Sequence, residues 1–279
     1  MPPLGLRFSG NNRNVIVQAA YKMHLQRLFL SVFAAVSFTV VHATQLFSNH
    51  GTTGGWSDSY IDPGCGGTIE QVSNVVKEGT TALKMTHTHN PNYNGLYHAE
   101  VHAANGYSKG QTRFYGFWFR LSETWEFTPN QGYNIAQFIA NFPGTCDAWM
   151  PSTMVWIHGN QLWARRKYGS LCPSSSQQVA NINTGKTVTA GVWHKIVIQS
   201  RWESNDDGYF KLWYDGEKVI EDLGVPTTIQ ENGAFQFRVG LYANGWSNGN
   251  YAGNQPFRQI WFDEIAFGTT FADADPDQW

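Results

Sequence analysis

Along residues 44–279, apolar and polar positions alternate in short runs separated by Gly, Pro, Asn and Asp. This is the period of two expected where successive side chains point to opposite faces of a strand. The pattern predicts strands over 82–87, 96–103, 113–121, 134–140, 154–158, 162–166, 194–202, 209–214, 217–220, 235–242 and 259–267. No stretch keeps a helical period. Gly159-Asn160-Gln161 reads as one hairpin turn and Asp215-Gly216 as another. Strands at this spacing predict an all-β chain whose two antiparallel sheets pack as a sandwich or jelly roll.

Residues 28–41 follow a different rule: a mostly apolar run without charge, preceded by Lys22 and Arg27 and followed by Val41-His42-Ala43. That arrangement predicts a secretory signal peptide, because the run is shorter than the roughly 20 residues of a membrane-spanning helix and ends in small residues. Met23 is the expected start, with residues 1–22 as an extension. The expected organisation is therefore 1–43 as extension and signal, then 44–279 as a single β-jelly-roll domain, secreted and extracellular, monomeric, and free of the membrane after cleavage. Removal of 1–43 takes Arg7, Arg13, Lys22 and Arg27 and no acid, so the net charge falls from −2 to −6. With 19 Lys and Arg against 21 Asp and Glu, the chain lacks the basic surface that nucleic-acid binding requires. Its 12 Trp, 12 Tyr and 18 Phe point instead to an aromatic wall suited to sugar.

Export permits disulfides. Of the three cysteines, Cys146 and Cys172 each lie thirteen residues from Gly159, so a ladder folded about that glycine brings them together and leaves Cys65 free.

Three predicted strands carry polar groups on one face. Gln236, Arg238, Gly240 and Tyr242 share a face opposite Phe237, Val239 and Leu241; His98, Glu100 and His102 share another; Gln137 stands opposite Phe138, with Ile135 and Ile139 on its own side. Each face alone reads first as a solvated surface. Together they suggest a concave floor on which Gly240 lets a ligand approach, Tyr and His move protons, and Arg and Gln bind a carboxylate. That set fits an acidic sugar.

The stretch Gln236-Phe-Arg-Val-Gly-Leu-Tyr-Ala-Asn244 resembles the C-terminal tyrosine motif of jelly-roll alginate lyases, with Arg238 where they have lysine and Tyr242 where they have the catalytic tyrosine. Gln137-Phe-Ile139 falls at their Gln-Ile-His, with Ile139 replacing the histidine. Through Phe114-Tyr-Gly-Phe-Trp-Phe119, the Gln137 strand, Gly240-Leu-Tyr-Ala-Asn-Gly-Trp246 and Trp261-Phe-Asp-Glu-Ile265, the chain more closely resembles the fungal glucuronan lyases, polysaccharide lyase family 20, over roughly 44–270. The resemblance implies a concanavalin A-like β-jelly roll and β-elimination on a β-1,4-linked polyuronate. It implies carboxylate binding by Gln137 and Arg238, with His98 as base and Tyr242 as acid, or Tyr242 in both roles and His98 holding it. No cofactor is expected for catalysis.

Substrate contacts are expected from Glu100, Gln236, Asn244, Trp246 and Tyr251, and from the Arg165 and Lys167 face of a basic cluster whose Arg166 points the other way. The resemblance also implies a structural Ca2+ remote from the cleft; Asp263, an acid inside an apolar strand, is the candidate ligand, with Asn49 and the Gly79 carbonyl weaker ones, and a hydrogen-bonded Asp263 is the alternative. His87, His89, His98 and His102 match no zinc spacing. Two rivals remain: a sandwich-fold glycoside hydrolase, for which no strand pattern of paired carboxylates is present, and a binding protein that does no chemistry.

Overall fold

The computed structural model describes residues 43–279, so the leader expected over 1–43 lies, but for Ala43, outside the described residues. These form fifteen strands in two antiparallel sheets. One sheet runs, edge to edge, through β13 (Glu217–Leu223), β12 (Tyr209–Tyr214), β11 (Trp193–Arg201), β6 (Thr112–Leu121), β15 (Phe257–Gly268), β4 (Ala82–Thr88) and β3 (Gly67–Val72), with β1 (Gln45–Asn49) also paired to β15. The other runs through β10 (Gln177–Thr187), β9 (Gln161–Gly169), β8 (Trp149–His158), β7 (Gly132–Asn141), β14 (Ala234–Tyr242), β5 (His98–Ser108) and β2 (Asp58–Ile61). This is the expected β-jelly-roll sandwich. Among the described residues, no helix is long and apolar enough to cross a membrane.

The alternation in β14 shows how the layers close. Phe235, Phe237, Val239 and Leu241 are buried in the core, where Phe237 meets Phe138 of β7 at 5.2 Å and Phe117 of the facing sheet at 6.3 Å between ring centroids. Tyr107 stacks between Trp202 at 3.8 Å and Phe235 at 4.4 Å. Buried aromatic rings favour the interior only if their polar heads are paired. The Tyr107 hydroxyl lies 2.6 Å from Ser152 Oγ and 2.8 Å from Thr228 Oγ1, and Trp202 Nε1 donates to the Tyr115 hydroxyl at 2.9 Å.

The β8–β9 hairpin turns on two residues, Gly159 and Asn160, with His158 opposite Gln161 and Gly159 at φ 57°. The Cys146–Cys172 disulfide closes beyond its far end, with a Cα–Cα distance of 5.8 Å, and Cys65 is free and buried. Arg166 is not solvated: it is buried, donates to Asp222 Oδ2 at 2.7 Å and to the Pro226 carbonyl at 2.8 Å, and so ties β9 to β13 of the other sheet. The four histidines do not converge. His87 lies in the core against the Leu241 carbonyl at 2.9 Å, while His89 stacks on Tyr251 at 3.8 Å.

Strands β1, β2, β3 and β10 are absent from the predicted set. They are short or lie at sheet edges, and neither face shows a full apolar row; β10 alternates only between exposed and half-buried positions. Without one buried face, the alternation that marks a strand is lost.

Candidate active site

The outer face of the second sheet carries the polar rows. Register places Tyr242 opposite His98, Arg238 opposite both His102 and Gln137, and Gly240 opposite Glu100. His98, Tyr242, Gln137, Arg238 and Gln236 therefore do meet on one floor, as expected.

His98 and Tyr242 lie ring on ring, 3.7 Å between centroids and 23° from parallel. Asp62, which sequence reasoning missed, fixes the imidazole: its Oδ2 accepts from the His98 backbone N–H at 2.8 Å and lies 2.7 Å from His98 Nδ1. Its Oδ1 accepts from the Tyr60 hydroxyl at 3.0 Å. Burial pushes the Asp62 carboxyl up, but the bonds from His98 and Tyr60 outweigh it and hold the group below the usual range. An ionised Asp62 accepts a hydrogen bond from Nδ1–H, which leaves the proton on Nδ1 and the Nε2 lone pair free. Asp62 precedes Pro63-Gly64 and reads in sequence as a turn residue, so only the fold reveals its partner. Burial, followed by the charges of Glu100 and Asp62, raises the Tyr242 phenol above its ordinary value, with Ser247 and Arg165 opposing. The phenol is thereby kept protonated.

Glu100, expected among the substrate contacts, lies buried beneath the floor. It is 1% exposed and accepts from Gln137 Nε2 at 2.8 and 2.7 Å, while Arg238 Nη1 stands 3.5 Å away. Gln236 Oε1 accepts from Arg238 Nε at 2.9 Å and Nη2 at 2.6 Å. Gly240 serves this cluster rather than a ligand: a Cβ there would sit 2.3 Å from the Ala99 carbonyl and 3.0 Å from Glu100 Cγ. Burial lowers the Arg238 pKa and Glu100 opposes the shift. Removing one partner of a buried pair leaves the other uncompensated, so Glu100→Ala is expected to cost about 3 kcal/mol. A denaturant midpoint equal to that of the wild type would contradict this account.

The β7 row also differs from expectation. Register shifts between Asn134 and Ala136, turning Ile135 into the core and leaving Asn134 between Tyr242 and Trp156, fully buried with no partner for either amide atom. Ile139 stays on the site face.

Two hollows flank the His98–Tyr242 pair. One, of about 280 Å³, includes Asp58, Tyr60, His102, Trp149 and Arg238; the other, of about 330 Å³, includes Trp156, His158, Arg165, Asn181 and Asn244. Arg165 donates to the Pro151 carbonyl at 3.3 Å, and burial lowers its pKa. Lys167 pairs with Asp147 at 3.4 Å and lines neither hollow.

Trp246 is not a sugar platform. At 1% exposure it belongs to the core and donates to the Tyr133 hydroxyl at 3.1 Å, and Tyr251 packs half-buried against it and His89.

Asp263 is on the other sheet. Its Oδ2 accepts from the backbone N–H groups of Lys77 at 2.9 Å and Glu78 at 3.2 Å, and its Oδ1 from Glu264 at 3.0 Å. Asn49 spends its amide on Thr52 and Gly54, and no group of three or more His, Cys, Asp or Glu among the described residues is placed to hold a metal. Asp263 is thus anchored by three backbone N–H groups in this structure.

The family model described as polysaccharide lyase matches residues 48–266. Among solved structures, an endo-beta-1,4-glucuronan lyase from the fungus Trichoderma reesei is 51% identical, with a TM-score of 0.81, covering 85% of this chain and 100% of its own. The marine alginate lyase from Aplysia kurodai, 11% identical with a TM-score of 0.56, covers 82% of this chain and 100% of its own and shares the fold alone. No curated protein matches.

Proposed function

The chain belongs to the polysaccharide lyase family, and from that membership we propose that it cleaves β-1,4-glucuronan by β-elimination, with the proton removed and the proton donated on one face of the sugar. The observation that carries this reading is the stacking of His98 on Tyr242 at 3.7 Å. Two proton-transfer groups side by side reach the same face of a ring. In β-1,4-linked glucuronate, H5 and O4 lie on one face, which this arrangement serves; a uronate with the two on opposite faces needs groups on both sides.

The substrate carboxylate binds Gln137 and Arg238, whose spacing Glu100 sets from beneath. Neutralised there, it makes the C5 proton more acidic, and His98 Nε2 removes that proton. The electron pair passes into the carboxylate as an enediolate, then returns to form C4=C5 as the C4–O4 bond breaks. Tyr242 gives its phenolic proton to O4, releasing a new reducing end and a 4,5-unsaturated uronate end. Solvent returns the proton from His98 to Tyr242. Arg165 and Asn244 line the neighbouring hollow and bind an adjacent uronate.

Purified protein incubated with glucuronan is expected to gain the ultraviolet absorbance of the conjugated C4=C5 bond. New reducing ends without that absorbance would make it a hydrolase, and neither signal would make it a binding protein.

The run at 28–41 and the Cys146–Cys172 bond support a secreted enzyme. A calcium ion beside Asp263 would be structural, in the sheet opposite the cleft; metal analysis of dialysed protein decides between it and the hydrogen-bonded anchor.

A further inference from the structure

His102 is 3% exposed, and neither ring nitrogen has a hydrogen-bond partner. Its nearest acid, Asp58 Oδ2, lies 3.8 Å from Nδ1. A buried imidazole without partners carries a desolvation cost that a ligand can relieve. The ring faces the hollow of about 280 Å³ that lies beyond His98, away from Arg165. Over that hollow stands Trp149, 50% exposed, with the Arg238 guanidinium 5.3 Å from its ring centroid. The Cys146–Cys172 bond closes three residues before Trp149 and anchors the segment carrying it.

We propose that this hollow is a subsite for the pyranose ring that follows the cleaved uronate toward the reducing end, with His102 hydrogen-bonding a ring hydroxyl and Trp149 packing on the sugar face. The proposal rests on the lyase reading above. Direction follows from sugar connectivity: C5, which faces His98, is joined through the ring oxygen to C1, whereas O4 leads the other way from Tyr242.

The chemistry of the lining selects hydroxyls over a carboxylate. Asp58 and Asp62 repel an anion, and the Arg238 guanidinium is already committed to the carboxylate of the cleaved uronate. Burial, with Arg238 adding to it, pushes the His102 pKa down to about 3, so the imidazole is neutral and offers one donor and one acceptor, which suits a hydroxyl. A β-1,4 link turns each ring about half a turn from the last. Where the cleaved ring presents its carboxylate, the next presents its O2 and O3 edge.

Trp149→Ala is expected to raise KM for glucuronan about tenfold, with a smaller fall in kcat, an effect that persists in high salt because no ion pair is lost. His102→Ala should shift KM in the same direction, and the exposed Trp149 variant keeps the test valid if the buried one fails to fold. An unchanged KM in Trp149→Ala, or a fall in kcat alone, overturns the subsite. A wild type inert on glucuronan would sink the lyase reading separately. The subsite is then read by calorimetric titration of a glucuronan tetramer into Tyr242→Phe and Tyr242→Phe/Trp149→Ala: about tenfold weaker binding in the second supports it, and equal binding overturns it.

Discussion

Tyr242→Phe is expected to lower kcat on glucuronan by roughly 10³-fold while leaving KM within a few-fold, because it deletes one hydroxyl and keeps the ring that packs on His98. Loss of the acid leaves O4 to depart as an alkoxide, a transition-state cost that ground-state binding does not share. The raised phenol pKa keeps the group in its donating form at neutral pH, which is the physical ground for assigning it the acid role and His98 the base. Initial rates of double-bond absorbance check the expectation. Near-normal turnover in the variant would remove Tyr242 from the chemistry.

Loss of the base should be equally severe. His98→Ala is expected to reduce kcat by about 10³-fold, and Asp62→Ala by about 10²-fold, since the imidazole then loses the carboxylate that fixes its tautomer and its orientation. The two groups act as one unit. The double variant should therefore be no slower than His98→Ala alone, and rates that multiply would show that Asp62 acts on something else. A modest loss in His98→Ala would return both proton transfers to Tyr242.

The period-two pattern at 235–242 revealed two faces of a strand, and register then brought Tyr242 to His98 and Arg238 to Gln137. What alternation cannot encode is a bulge: one extra residue near Ile135 exchanges the faces of β7 and sets Asn134 between Tyr242 and Trp156. Nor can it encode what a neighbouring strand does with free space. Gly240 reads as room for ligand, and the room belongs to Glu100. Trp246 lies in a Gly- and Asn-rich loop, a composition that suggests exposure, yet its indole N–H finds the Tyr133 hydroxyl 113 positions away in the chain. The bond between Asp62 and His98 becomes legible only when β2 lies beside β5.

The order of strands in space also sets when the enzyme can exist. Strand β14 sits between β7 and β5, and β15 between β6 and β4, so the centre of each sheet is supplied by the last two strands to be synthesised. A nascent chain that ends before Ala234 holds each sheet as two separate parts with unpaired inner edges and has none of the Tyr242, Arg238 and Gln236 side chains. Closing it requires pairing across long sequence separations, which slows folding and exposes edges to aggregation. The floor of the proposed site and the fold are thus completed together, by the insertion of the last two strands, and a chain that stops before them is expected to carry no activity.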